Sequence, residues 1–323
     1  MEEKIDLKDR KILAKLDFYA RESVSQIAKK VGVSKEVALY RIKNLEARNI
    51  IKQYYAIVNT AKLGYCYCRF LAKFHNINKR IEEEIISHLR KNKKTAYLGL
   101  IDGSWDLICG FWAKDIFEFE EFIDNFVFKY GKYIHEKEVS IGSHLSQFNY
   151  EFLTETKNKE EFKTGGKVQL LKLDSIGKRL LVLLTENARI NYEQLSKKLN
   201  LTGKAISYRI SNLIEKEVIV GFRALIDYKK FGYSNSKVLL CLQSLTEKEF
   251  NKLLNYLKKL ENCIYITKVI GTSDLEFEIL TKSREEFFLV MKELRENFNK
   301  IIRKHEHYII HEELLSRFIP LES

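Results

Sequence analysis

The chain has 323 residues, 45% apolar and 31% charged, the profile of a soluble folded protein of roughly two to four domains and not of a disordered chain. No window reaches the roughly 18 uncharged apolar residues of a membrane span, and the charged start Met1-Glu2-Glu3-Lys4 lacks a signal peptide's apolar core, so a cytoplasmic protein without a membrane partner is expected. The net charge of +12 favours a polyanionic partner, the alternative being a merely solubilising surface.

The chain aligns with itself, without a gap, at an offset of 168 residues: Tyr40-Arg41-Ile42-Lys43-Asn44-Leu45 falls on Tyr208-Arg209-Ile210-Ser211-Asn212-Leu213. The same offset puts Asp6 on Asp174, Ala20-Arg21 on Ala188-Arg189, Gly64-Tyr65 on Gly232-Tyr233, Gly103 on Gly271 and Asp106-Leu107 on Asp274-Leu275. We read this as a tandem duplication of a domain-sized module, in which shared residues filter for function. Basic charge concentrates where each repeat begins: residues 1–60 hold 13 Lys/Arg against 8 Asp/Glu, and residues 168–228 hold 10 against 6.

Each repeat opens with an amphipathic helix, marked by Leu7, Ile12, Leu13 and Leu16 or by Ile176, Leu180, Leu181 and Leu184. A short second helix follows (24–31 or 192–199), then a tight turn, Gly32-Val33-Ser34 or Asn200-Leu201-Thr202. Gly and Asn tolerate the left-handed conformation such a turn needs, and Ser34 and Thr202 suit the N-cap of a third helix. In that helix Ala38, Ile42 and Leu45, or Ile206, Ile210 and Leu213, must face the core. Lys35, Glu36, Leu39, Tyr40 and Lys43, or Gly203, Lys204, Ser207, Tyr208 and Ser211, then form the opposite face, which suits either a major-groove reader or an ordinary solvated surface. Repetition of Tyr-Arg at one helical phase favours DNA. Arg41 and Arg209 flank the core stripe, where each could grip a phosphate or brace a neighbouring helix.

The runs Ile50-Ile51 with 54–58, and Val218-Ile219 with 222–226, are expected to form a wing after each third helix. Strand 66–74, helix 79–91, strand 95–102, a turn at Gly103, strand 106–113, helix 116–130 and strand 133–141 follow, a βαββαβ order repeated from about 236 to 313. The polar stretch 151–170 reads as a flexible linker.

This order resembles the Lrp/AsnC (feast/famine) family of transcriptional regulators, in two fused copies. The matching residues are Ser34, Arg41-Ile42, Leu45-Glu46, Ile50-Ile51, Ala56 and Leu63-Gly64, and in the second copy Thr202, Arg209-Ile210, Leu213, the run from Val218 to Ala224 and Phe231-Gly232. The expected fold is therefore α+β, two copies of a winged helix-turn-helix plus a ferredoxin-like βαββαβ (RAM-type) domain. The expected boundaries are 1–60, 61–150, a linker at 151–170, 171–228 and 229–323.

The resemblance implies double-stranded DNA as partner, with Ser34, Lys35, Tyr40, Arg41, Lys43, Thr202, Lys204, Ser207, Tyr208, Arg209 and Ser211 as its contacts. It also implies self-association through the βαββαβ sheets, within one chain or as a homodimer. An amino-acid effector is implied at the Gly-x-x-Asp turns, here Gly103-Ser104-Trp105-Asp106 and Gly271-Thr272-Ser273-Asp274. Those turns also fit a purely geometric need for Gly. Where the family usually has Tyr, this chain has Trp105 and Ser273, which implies two unequal pockets or one that is blocked.

Siroheme decarboxylases resemble the same architecture and bind a porphyrin through His and Arg. Here the arginine-rich signature after the third helix is absent, and the histidines do not recur between halves; His305 and His307 alternate on a final strand and could jointly face a ligand. An assembly module that has lost DNA binding is a third reading. No Gly-rich phosphate loop, Ser/His/Asp constellation or His-Glu-x-x-His motif is present, so neither catalysis nor a cofactor is expected. Cys66 and Cys68 share a strand face, but with no second pair they and the other cysteines read as reduced core thiols and not as a metal site.

Overall fold

The structure is a computed structural model that describes residues 4–154, 159–243 and 246–320; Met1 to Glu3 of the charged start, and 155–158 of the expected linker, lie outside them. The first half contains α1 (Leu7–Tyr19), α2 (Val24–Val31), α3 (Lys35–Ala47), β1 (Ile51–Val58), β2 (Cys66–Phe74), α4 (Lys79–Lys91), β3 (Thr95–Gly103), β4 (Leu107–Ala113), α5 (Ile116–Tyr130) and β5 (Ile134–Phe148). A short strand, β6 (Glu161–Gly165), follows. The element order of the first half then returns as α6 (Ser175–Glu186), α7 (Tyr192–Leu199), α8 (Gly203–Glu215), β7 (Ile219–Ile226), β8 (Ser234–Leu242), α9 (Glu247–Lys259), β9 (Cys263–Gly271), β10 (Leu275–Thr281), α10 (Arg284–Phe298) and β11 (Ile302–Ser316). The fold is the expected α+β class. No described helix is long and apolar enough to cross a membrane.

The wing differs from expectation. Each repeat supplies one strand, and β1 pairs antiparallel with β7, Tyr54 lying opposite Ala224. Helix α1 packs on β7 and α6 on β1, so each first helix rests on the other repeat's strand. Ala224 and Ile226 accordingly join the apolar core around Ile12, Leu13 and Leu16, while Ala56 and Val58 join that around Leu180, Leu181 and Leu184. A fully buried aliphatic side chain contributes about 1.5–3 kcal/mol, and here that burial spans both halves.

The βαββαβ sheets run β5–β2–β4–β3 and β11–β8–β10–β9, and join where β11 pairs with β3 and β9 with β5. The result is a closed ring of eight strands, which leaves neither sheet an open edge at the junctions. The association left open by the sequence thus occurs within the chain. Helices α4 and α5, and α9 and α10, cover the outer face through Leu89 and Phe126, and through Leu257 and Leu294. Strand β5 outruns its expected end at 141 because Ser140 to Gln147 pair with β9, a partner too distant in sequence to leave a local signal. The linker expectation is also corrected. Residues 161–165 form β6, which extends the sheet beside β5, and Phe162 stacks on Phe18 with ring centroids 4.2 Å apart.

Candidate nucleic-acid interface

The turn between the second and third helices forms as the residue types require. Gly32 (φ 73°, ψ 50°) and Asn200 (φ 52°, ψ 49°) occupy the left-handed region. Ser34 Oγ accepts from Val37 N at 3.2 Å, and Thr202 Oγ1 from Ala205 N at 3.2 Å, so both cap helices as expected. Ala38, Ile42 and Leu45, and Ile206, Ile210 and Leu213, are buried. That burial turns the opposite faces outward: Lys35 and Lys43 on α3, and Lys204, Ser207 and Ser211 on α8, are exposed. Tyr40 and Tyr208 are 70% and 73% exposed.

Arg41 and Arg209 take the bracing position. Arg41 Nη1 donates to Asp6 Oδ2 at 2.7 Å and to Asp9 Oδ1 at 2.8 Å; Arg209 donates to both Asp174 carboxylate oxygens, at 3.0 and 2.8 Å. These aspartates also cap the first helix of each repeat, Asp6 accepting from Asp9 N and Asp174 from Gly177 N. The Asp9 backbone N–H, with Arg41, holds the Asp6 carboxyl below its ordinary range; Arg209, with the Gly177 N–H, does the same for Asp174. Beneath them Arg223 of β7 donates to Asp17 Oδ1 of α1 at 2.5 Å, and both side chains are buried.

At the expected effector turns the carboxylates are committed to main chain. Asp106 Oδ2 accepts from Phe74 N at 2.7 Å and its Oδ1 from Lys73 Nζ at 2.7 Å; Asp274 Oδ2 accepts from Leu242 N at 2.7 Å. Gly103 (φ +139°) and Gly271 (φ +144°) sit against the opposite half's last strand, where an added Cβ would lie 3.0 Å from His307 O or 2.9 Å from Val139 O. The geometric need for Gly is therefore met at both turns. Ser104 and Thr272 lie between these groups, and Thr272 O accepts from Cys241 Sγ at 3.1 Å.

The departures at Trp105 and Ser273 do produce unequal surroundings. Trp105 is buried with Ile108 and Tyr308, whereas Ser273 Oγ donates to Glu276 Oε1 at 2.7 Å beside Arg69 and Lys237. Burial disfavours the Glu276 charge, but Arg69 and Lys237 outweigh it and pull that carboxyl down to about 2. Sequence reading missed this ionic cluster. Its trace was Arg69 falling on Lys237 at the 168-residue offset, each followed directly by apolar residues of its strand.

His305 and His307 lie beside α10, His307 with its ring 4.9 Å from that of Phe287, and burial and Arg295 lower the His305 pKa. Among the described residues no group of three or more His, Cys, Asp or Glu is arranged to hold a metal ion.

Residues 5–46 match the AsnC-type helix-turn-helix domain, and residues 173–220 match a winged helix-turn-helix DNA-binding family. The transcriptional regulator LrpA of Pyrococcus horikoshii is 32% identical over 123 residues, spanning 38% of this chain and 84% of that protein. LrpB of Bacillus subtilis is 23% identical over 149 residues, 42% of this chain and all of that protein. The fold extends further: the crystal structure of the siroheme decarboxylase NirDL superposes with a TM-score of 0.67 at 14% identity, covering 98% of this chain and 94% of that one. The sequence matches settle the lineage: the chain belongs to the Lrp/AsnC family of transcriptional regulators.

Proposed function

We propose that this protein is a sequence-specific transcriptional regulator whose α3 and α8 enter successive major grooves of double-stranded DNA. Residues 1–60 and 171–228 act as the DNA-reading units, and 61–150 and 229–323 as the assembly units. The observation that carries the reading is the pair Tyr40 and Tyr208. They recur at one helical phase, are 70% and 73% exposed, and have no hydrogen-bond or ion partner among the described residues. An aromatic residue held out in water twice, between basic and hydroxyl side chains, fits contact with bases and phosphates. Lys35, Lys43 and Lys204 supply charge, Ser207 and Ser211 hydrogen bonds, Ser34 and Thr202 fix the helix ends, and Arg41 and Arg209 hold the reading helices to α1 and α6. The exposed face also weighs against a pure assembly module, which would bury it.

Because α3 offers Lys43 where α8 offers Ser211, the preferred site is asymmetric, unlike the near-palindrome that two identical subunits read. Binding to operator fragments, with Tyr40→Ala and Tyr208→Ala compared singly and together, tests the assignment. Each single variant loses affinity at one half-site; unchanged binding in the double variant refutes it.

A second reading is favoured by the full-length likeness to NirDL, whose structure was also solved with an iron-uroporphyrin III analogue and superposes here with a TM-score of 0.64 at 15% identity. The chemistry opposes it. A uroporphyrin is a polycarboxylate, while His305 and His307 face α10 and the interior cations Arg69 and Lys237 are bound to glutamates. We therefore propose a non-enzymatic role.

A further inference from the structure

The ring of strands encloses a chamber of about 380 Å³ on the side nearest the β1/β7 ribbon, with Tyr55 of β1 and Leu225 of β7 in its wall. Its lining includes the aromatic rings of Tyr97 and Trp112, and its polar groups include Asn235, Lys237, Glu278, Glu313 and Arg317. Cavities of this size and make-up are where proteins bind small molecules.

In and beside the chamber three cations, Arg69, Lys237 and Arg317, stand with three carboxylates, Glu276, Glu278 and Glu313, but they do not pair off, because Arg317 is held by the carbonyl oxygens of Asn92, Thr95 and Arg90. Glu276 is bound by Arg69 and Lys237, and Glu278 by Lys237 and Asn235 Nδ2. Glu313 is left without an ion pair among the described residues. The lysines acting on it are engaged elsewhere, Lys52 with Asp227 at 3.0 Å and Lys229 with His311 O at 2.5 Å. Its surface is open to the chamber, yet surrounding protein, and then Glu278, push its carboxyl above the ordinary range.

Four further polar atoms in the same lining lack a protein partner among the described residues: Asn235 Oδ1, on a side chain 2% exposed, Tyr97 Oη, Tyr228 Oη and Trp112 Nε1. Buried polar groups without partners are costly, and several converging on one cavity point to an occupant that satisfies them. An unmatched carboxylate beside aromatic faces selects a cation, through direct pairing and through the ring quadrupole, and disfavours an anion.

We propose that the chamber binds a small organic amine, its ammonium group facing Glu313 and Asn235 and its apolar body lying against Tyr97 and Trp112. The occupant touches strands of both sheets and of the ribbon beneath the DNA-reading helices, so it is placed to bias their spacing. The word effector rests on the regulator reading; the binding itself does not.

The test is calorimetric titration of the full chain, without DNA, using tyramine and tryptamine, with 4-hydroxyphenylacetate and indole-3-acetate as acids of similar shape. An amine that saturates at one site per chain while neither acid binds is the expected result. Glu313→Gln should weaken it at least tenfold. Tyr97→Phe, which removes one hydroxyl, should weaken it less and confirms that the site survives substitution. Failure of both amines, equal binding of the acids, unchanged affinity in Glu313→Gln, or uptake of iron uroporphyrin III in preference overturns the proposal. A parallel DNA titration separates the two claims: DNA binding without amine binding sinks this inference alone, and amine binding without DNA binding sinks the regulator reading alone.

Discussion

Arg21 and Arg189 hold each other's flanking main chain between the two halves of the chain. Arg21 Nη1 donates to Ala188 O and, at 3.2 Å, to Ile190 O; Arg189 Nη1 donates to Ala20 O at 2.6 Å and to Glu22 O at 3.0 Å. Alanine at either position leaves two part-buried carbonyls without their donor, a loss of about 1–3 kcal/mol. Urea unfolding should show that loss in each single variant, together with weaker DNA binding as the two helix-turn-helix units lose their fixed spacing. Unchanged stability in both would show that these contacts do not set the geometry.

Charge on the reading helices makes a separate prediction. Lys35→Ala and Lys204→Ala should each weaken binding at every DNA sequence and lower the log–log salt slope by about one unit. Titrations from low to moderate salt measure it, and a slope unchanged in both variants counts against groove contact by α3 and α8.

The Glu276 carboxyl gives the protein an acid-sensitive joint. Its pKa, held at about 2 against an ordinary 4.5, means that the folded state favours the charged form. Its contribution is therefore present above about pH 4.5 and is lost as pH falls toward 2. Glu276→Gln leaves Arg69 and Lys237 buried without their shared partner and should cost about 3–5 kcal/mol at neutral pH. The gap between variant and parent should narrow on acidification below pH 4.5. A gap independent of pH would mean the cluster is not ionised as described.

Glu313 has the opposite sign. Its carboxyl is raised by burial and by Glu278, opposed by Lys52 and Lys229, with Asp227 adding to the rise. A raised carboxylate favours the folded state at low pH and loses that advantage as pH rises through its folded value. Glu313→Gln should therefore raise Tm at pH 8 and lose that advantage toward pH 4, as thermal melts across pH would record. A lower Tm at pH 8 would contradict the unpaired charge and its raised pKa.

Gly271→Ala brings a Cβ within 2.9 Å of Val139 O at a φ of +144°. Strain of this kind costs on the order of 1–3 kcal/mol. The expected outcome is a loss of stability that no amino acid added to the assay reverses; a variant as stable as the parent would reopen the turn as an effector site.

The residues explain what was and was not legible in the sequence. Helices, caps and the βαββαβ order were, because they follow local periodicity and turn chemistry: Ser34, Gly32, Thr202 and Asn200 do what their types dictate. The exchange of β1 and β7 was not, since a strand carries its own pattern but not the identity of its partner. Recurrence at the 168-residue offset was a coarser filter for function than it looked. Asp6, Arg21, Arg41, Gly103 and Asp106 recur because they cap, brace or pack: Asp6, Arg41 and Asp106 within their own half, Arg21 and Gly103 against the other. Once those roles are removed, Tyr40 and Tyr208 stand out as recurrent, exposed and structurally idle. The chamber could not be read at all, because Tyr97, Asn235 and Glu313 converge only when the ring closes.

The measurement that tests the central claim most directly is retention of fragmented DNA from the protein's own genome across a salt series, followed by sequencing of what is held. Retention of a few asymmetric sites, released steeply as salt rises, is the predicted result. Absence of retention even at low salt would contradict the account.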